Sequence, residues 1–269
     1  MAEITYETPS NHVRLITMNR PETLNSLSPE GSQSFLEHIR EFRDDPDGWV
    51  LIVTGAGERS FSTGADLRAR AQSSATTGGG QDPPPPSPQV PRESLHSYPS
   101  IEVFKPTIAA INGYALGGGL ETALWCDLRI AAEHAELGLP EPRRGSMSIS
   151  GVTRLSHFLP RTQAMEMILT ARRYKAADCY RMGLVNAVVP LAELITTALA
   201  WAEEIVRENA PMSNRMAKEL VYRTEHMPIR DALQIQSLFS ERLRHLAPMD
   251  FVEGPKAFTE KRKPQFVGR

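Results

Sequence analysis

The chain has 269 residues, 41% hydrophobic and 23% charged, with a formal net charge of -2 at pH 7. That balance fits one large soluble globular unit and gives no basic bias toward nucleic acid or a membrane surface. Its two cysteines, Cys126 and Cys179, lie far apart in apolar segments without C-x-x-C or Cys/His metal spacing, which argues against zinc and for buried thiols in a reducing compartment.

The opening stretch MAEITYETPSNHVRLITMNR has no charged-then-apolar signal pattern, and no apolar run approaches the roughly 18 residues that span a bilayer. A cytoplasmic protein is the expectation. Short β-branched runs at 12–19, 49–55, 107–113, 127–132 and 184–190 predict strands, most ending at Gly, Asn or Pro. Between the first two, 28–45 predicts a helix with Ser28 as N-cap and Pro29 at its first position. The segment 71–94, with four consecutive prolines among Ser, Thr and Gly, fits neither helix nor central strand. It reads as a mobile surface insertion lying over the site entrance. A further helix is predicted over 160–174, with Met165, Ile168 and Leu169 on one face. After Pro190 the strands stop, and 191–209, 211–226, 229–246 and 249–263 all read as helices. The alternation predicts an α/β core over 1–190. A helical region over 191–269 follows, whose apolar faces pack on themselves or on another subunit.

Two glycine turns draw attention. Gly117, Gly118 and Gly119 follow a strand and open a helix-like stretch that carries one acid, Glu121. A helix N-terminus presents unpaired N–H groups, and glycine lets a ligand approach them closely. Neither a G-x-G-x-x-G nor a Walker spacing is present. The second turn, Ser62-Thr63-Gly64-Ala65-Asp66, follows another strand. Two backbone donors converging on one point suit a thioester oxygen as it becomes an enolate. A tight turn without function is the plain alternative for the Gly117–Gly119 turn taken alone.

The blocks FSTGADL, KPTIAAINGYALGGGLETALWCDLRIAA and LGLPEPRRG, with MNRPETLNSLS near the start and EGPKAFTEKRKPQF at the end, resemble the enoyl-CoA hydratase/isomerase (crotonase) family. The resemblance covers nearly the whole chain outside 71–94. It implies a crotonase-like spiral of ββα repeats with a C-terminal helical region that joins subunits into a homotrimer or homohexamer. It also implies an acyl-CoA thioester as substrate and no separate cofactor. Its oxyanion donors map onto the N–H groups of Ala65 and Gly118, and its two hydratase acids onto Glu121, which activates water, and Glu141, which supplies the proton at C2. Coenzyme A contacts map onto the backbone from Glu22 to Leu24, onto Ala65, Asp66, Leu67 and Arg68, and onto Phe258 and Lys261 of the basic terminal helix, the last two reaching a neighbour's site. Read without the family, Glu121 also fits a solvated helix acid or a partner of Arg129, and Glu141 a loop acid beside Arg143 and Arg144.

The loop GSMSISGVTRL (145–155) departs from the family pattern: it is one residue short and keeps a single late glycine, Gly151. In typical members a backbone N–H of this loop helps hold the catalytic water, so the departure leaves the water position and the acyl pocket open. Trp125 fits either the acyl pocket or the core, and His134 a surface role. The leading expectation is an enoyl-CoA hydratase. The rivals are an isomerase that needs only proton shuttling and a non-catalytic acyl-CoA-binding scaffold. An RNA-binding role is disfavoured by the absence of a long lysine-rich helix.

Overall fold

The computed structural model describes residues 2–66 and 101–269. The insertion 71–94, with Leu67 and Arg68, lies outside the described residues. The main sheet has six strands in the order β1 (Ile4–Ser10), β2 (Val13–Met18), β3 (Val50–Gly55), β5 (Thr107–Ile111), β7 (Leu128–Ala132) and β10 (Ala187–Val189). Only β1 is antiparallel to its neighbour; the rest pair in parallel. A second sheet holds β4 (Ser60–Ser62), β6 (Tyr114–Leu116), β8 (Glu136–Gly138) and β9 (Tyr174–Lys175). Successive pairs β3–β4, β5–β6 and β7–β8 each give one strand to each sheet. This is the spiral of ββα repeats that the resemblance implies.

Parallel strands covered on both faces call for near-continuous apolar runs, and β3 and β5 supply them. In β3, Leu51 and Val53 enter the larger core while Val50 and Ile52 enter a second one; Ala109 and Ile111 of β5 alternate in the same way with Ile108 and Ala110. Helix α1 (Pro29–Asp44) covers the larger core with Phe35, Leu36, Ile39 and Phe42, at helical spacing. It starts as predicted: Ser28 Oγ accepts from Gly31 N at 2.9 Å, and the same hydroxyl donates to Glu3 Oε2 at 2.7 Å. Ser28→Ala removes both bonds and is expected to cost about 1 kcal/mol. A lower urea midpoint with an unchanged slope would show it.

Helix α2 (Gly118–Trp125) follows β6 and is buried from Gly119 to Trp125. Helices α3 (Ser150–Phe158), α4 (Arg161–Thr170) and α5 (Ala176–Arg181) lead to β10. On α4 the buried residues are Ala164 and Met167, whereas Met165 and Leu169 are exposed. The helix packs on the core through Ala164 and Met167, with Ile168 partly buried beside them. Beyond β10, α6 (Leu194–Glu208) lays Leu194, Ala198 and Ala202 on the second core. Then come α7 (Pro211–Thr224), α8 (Ile229–Leu246) and α9 (Pro248–Thr259). Glu219 of α7 pairs with Arg242 of α8 at 3.1 Å, and the Asp250 carboxylate accepts from Val267 N and Gly268 N, tying down the C-terminal tail. Helix α8 buries none of its residues in the single chain. The cysteines are both free and buried, and burial pushes each thiol up to about 12.

Candidate active site

The site begins with the turn that follows β2. Leu24 and Asn25 hold left-handed φ of 57° and 53°, an uncommon conformation that Asn tolerates better than Leu. Asn25 secures both: it is 1% exposed, accepts from Arg20 N, and donates through Nδ2 to Ala56 O at 2.9 Å and Ser60 O at 2.6 Å. Ser60 Oγ and Ser62 Oγ donate back to Leu24 O and Asn25 O. The turn is thereby clamped on β4. Immediately afterwards Leu27 forms a parallel bridge to Ala65, in which Leu27 N donates to Gly64 O and Asp66 N to Leu27 O. Such a bridge uses the groups flanking Ala65, so the N–H of Ala65 itself faces away from Leu27.

On that side stands the start of α2. Gly64 has φ +83°, and a Cβ there would lie 2.7 Å from Gly118 N. Glycine at 64 is thus required both by its dihedral and by the approach of the two backbones. Gly117, with φ +57°, leaves room for a carboxyl: a Cβ there would lie 2.9 Å from Glu141 Oε1.

Glu121 sits in the first turn of α2 and is 7% exposed. Its Oε1 accepts three hydrogen bonds, from Ser148 Oγ at 2.5 Å, Gly151 N at 3.0 Å and Ser150 N at 3.1 Å. The two N–H groups belong to the start of α3, whose unpaired donors favour an anion. Glu141 opens a short 3-10 turn, Glu141–Arg144, after β8. Its Oε2 is buried and has no hydrogen-bond partner among the described residues. Burial, reinforced by the nearby Glu121 charge, holds its carboxyl above the usual carboxylate range, against the opposing pull of its own backbone N–H and of Arg144. Both acids line one cavity of about 740 Å³, together with Leu24, Ala65, Asp66 and Gly118. Volumes of this order suit a small-molecule ligand.

The enoyl-CoA hydratase/isomerase family matches this chain over residues 8–269. Among its relatives, the (E)-benzylidenesuccinyl-CoA hydratase of Thauera aromatica is 39% identical over 96% of this chain and 97% of that protein. The carnitinyl-CoA dehydratase of Escherichia coli K12 is 38% identical over the full length of both. The chain belongs to the enoyl-CoA hydratase/isomerase family. Solved structures agree. An enoyl-CoA hydratase from Bacillus anthracis superposes with TM-score 0.87 at 35% identity, covering 99% of this chain and 100% of that one. One from Mycobacterium tuberculosis gives TM-score 0.87 at 29% identity, covering both chains fully. Membership makes the chain an enzyme of this family, for which an acyl-CoA substrate fits.

In this family member the structure brings six of the sequence-derived residues to one cavity: Leu24, Ala65, Asp66, Gly118, Glu121 and Glu141. Asp66 is also engaged by Arg20 at 3.4 Å. Phe258 and Lys261 are not among them. Phe258 is 86% exposed, and Lys261 does not lie in the terminal helix as expected. The helix stops at Thr259, and Lys261 takes a left-handed φ of 56° in the turn beyond it. The pairing of Glu121 with Arg129 is also excluded. The Arg129 guanidinium is buried and donates to the carbonyls of Leu184, Cys126 and Ala123, where it closes the C-terminal end of α2. Trp125 belongs to the core, and His134 donates through Nε2 to Glu58 O at 2.8 Å, in a separate depression.

Sequence reasoning passed over Ser148 and Ser150 as donors to Glu121. It also passed over Leu116, Met147, Ile149, Arg144 and Arg173 as cavity walls. A serine just ahead of a helix start was the available signal for Ser148. Among the described residues, no cluster of His, Cys, Asp and Glu is arranged to hold a metal ion, and no helix is long and apolar enough to cross a membrane.

Proposed function

We propose that the protein adds water across the 2,3-double bond of a 2-enoyl-CoA thioester to give a 3-hydroxyacyl-CoA, and catalyses the reverse dehydration. The observation that carries this reading is the unequal treatment of two carboxyls on one cavity. Glu121 is held through one oxygen by three donors, as suits an anion. Glu141 is buried, short of a partner and shifted toward its neutral form. Two carboxyls held in such different surroundings divide the roles of base and acid.

In this mechanism the thioester oxygen lies against the N–H groups of Ala65 and Gly118, which stabilise the enolate as charge develops. Glu121 takes a proton from water through Oε2 as the oxygen bonds to C3. Glu141 delivers its proton to C2, and the proton left on Glu121 returns to Glu141 by way of solvent. Atoms balance with water as the only co-reactant, and the chemistry calls for no cofactor. Leu24 and the Glu22–Leu24 backbone border the coenzyme, and Leu116, Met147 and Ile149 offer apolar surface to the acyl group. Incubation with crotonyl-CoA and with longer, aryl-substituted and carboxylate-bearing 2-enoyl-CoA thioesters tests the reading. A product heavier by one water supports it. A product of unchanged mass with a shifted double bond would instead indicate an isomerase.

The coenzyme roles expected of Phe258 and Lys261 belong to an assembly. Ile229, Leu233 and Leu238 of α8, and Val252 and Phe258 of α9, are exposed in the single chain. Covering these faces by self-association supports a trimer or a dimer of trimers. Light scattering at micromolar concentration is expected to give three or six times the chain mass, and a monomer would contradict it.

A further inference from the structure

We infer that Ser148 is a positioning residue for the water-activating carboxylate, and that it couples the base to the loop that meets the acyl group. This rests on the hydratase reading above. Of the three donors on Glu121 Oε1, two are backbone N–H groups that any helix beginning at Ser150 presents there. The Ser148 hydroxyl is the side-chain donor, and at 2.5 Å it makes the shortest of the three bonds. Hydroxyl-to-carboxylate bonds of this length are charge-assisted.

The contact is enclosed. Ser148 is 4% exposed, and the chain leaves space for it at Gly151, where a Cβ would lie 2.2 Å from Ser148 Oγ and 3.1 Å from Glu121 Cγ. Three donors on one oxygen fix the rotation of the carboxylate. Oε2 makes no hydrogen bond with the described residues and is the oxygen left for water. Without the hydroxyl, both oxygens compete for the two N–H groups and the aim of Oε2 is lost.

The residues on either side of Ser148 have the opposite character. Met147 and Ile149 are 67% and 52% exposed and line the cavity. Three consecutive residues thus alternate between the acyl pocket and the base. An acyl group that displaces Met147 or Ile149 pulls on the residue that orients Glu121. The shape of the acyl group is in this way linked to the rate of water addition as well as to binding.

The test uses the full-length protein with crotonyl-CoA for hydration and butyryl-CoA for exchange of the C2 proton with deuterated solvent. The exchange needs Glu141 and the enolate site but no activated water. Ser148→Ala is expected to lower kcat for hydration roughly 10- to 100-fold, the effect of one hydrogen bond to a charged group. KM should stay within about 3-fold and the C2 exchange rate should hold. Ser148→Thr, which keeps the hydroxyl, should recover most of the loss. Ser148→Cys, a weak donor of similar size, should reproduce the defect if the alanine variant folds poorly. An unchanged kcat in S148A would overturn the inference, as would equal losses in hydration and exchange, which mark general damage. If the wild-type protein hydrates no enoyl-CoA at all, it is the hydratase reading that fails.

Discussion

Replacing Glu141 by Gln is expected to reduce turnover of a 2-enoyl-CoA by roughly 10²–10⁴-fold, the usual weight of one acid–base group. The same change should make the protein more stable at neutral pH. The sign follows from burial. The carboxyl of Glu141 titrates above its ordinary value of 4.5 in the folded chain, first because it is buried and then because Glu121 is near. The folded state therefore holds that proton to higher pH than the unfolded state does. Stability from this group is full below the ordinary carboxylate value and is lost as pH rises through the raised one. The amide of Glu141→Gln carries no charge at any pH, so the variant should melt above wild type at about pH 7–8, with the gap closing in acid. Turnover by the wild type should fall in the other direction, on the alkaline side, as the proton needed at C2 is lost. Paired melting curves and kcat/KM against pH check both halves.

The second large effect is expected at Gly64. An alanine there must place its Cβ 2.7 Å from Gly118 N and 3.0 Å from Gly118 Cα, on a residue whose φ is +83°. Backbone cannot yield as a flexible side chain does, so the Ala65 and Gly118 turns must move apart. A fall in kcat of roughly 10²–10³-fold is expected, comparable to the loss of one oxyanion donor. Coenzyme A itself should still bind, since the Glu22–Leu24 segment proposed to border it lies outside the two displaced turns. Steady-state kinetics beside a coenzyme A titration separates the two. A G64A enzyme with normal kcat would remove Ala65 and Gly118 from the proposed mechanism.

How much of this was legible beforehand depends on the length scale of each signal. The strands β2, β3, β5 and β7 are five or six residues long and apolar, and they read directly from the chain. The second sheet did not. Ser60–Ser62, Tyr114–Leu116, Glu136–Gly138 and Tyr174–Lys175 are too short to establish any alternation. They exist because the longer strands carry them into register. Ser28 and Pro29 gave the start of α1 because capping is local. The helix α4 was legible from its periodicity, but periodicity reports an apolar stripe without saying what covers it, and in the single chain Met165 and Leu169 stay exposed.

The site divides in the same way. Glycines at 64 and 117–119 announced close backbone approach, and the family resemblance put Glu121 and Glu141 in register with them. The bond from Ser148 to Glu121 spans 27 residues. It arises from the packing of α3 on α2, which no local pattern encodes. The shortened loop raised the question of how water is held. In the structure, two N–H groups of that loop go to the carboxylate that would activate the water.

The division of labour between the two carboxyls is the central claim, and exchange at C2 tests it most directly. Butyryl-CoA in deuterated water reports proton transfer at C2 without any addition at C3. Glu121→Gln should lose crotonyl-CoA hydration by roughly 10²–10⁴-fold yet keep C2 exchange near the wild-type rate, whereas Glu141→Gln should lose both. Exchange that survives in E141Q and disappears in E121Q would contradict the account.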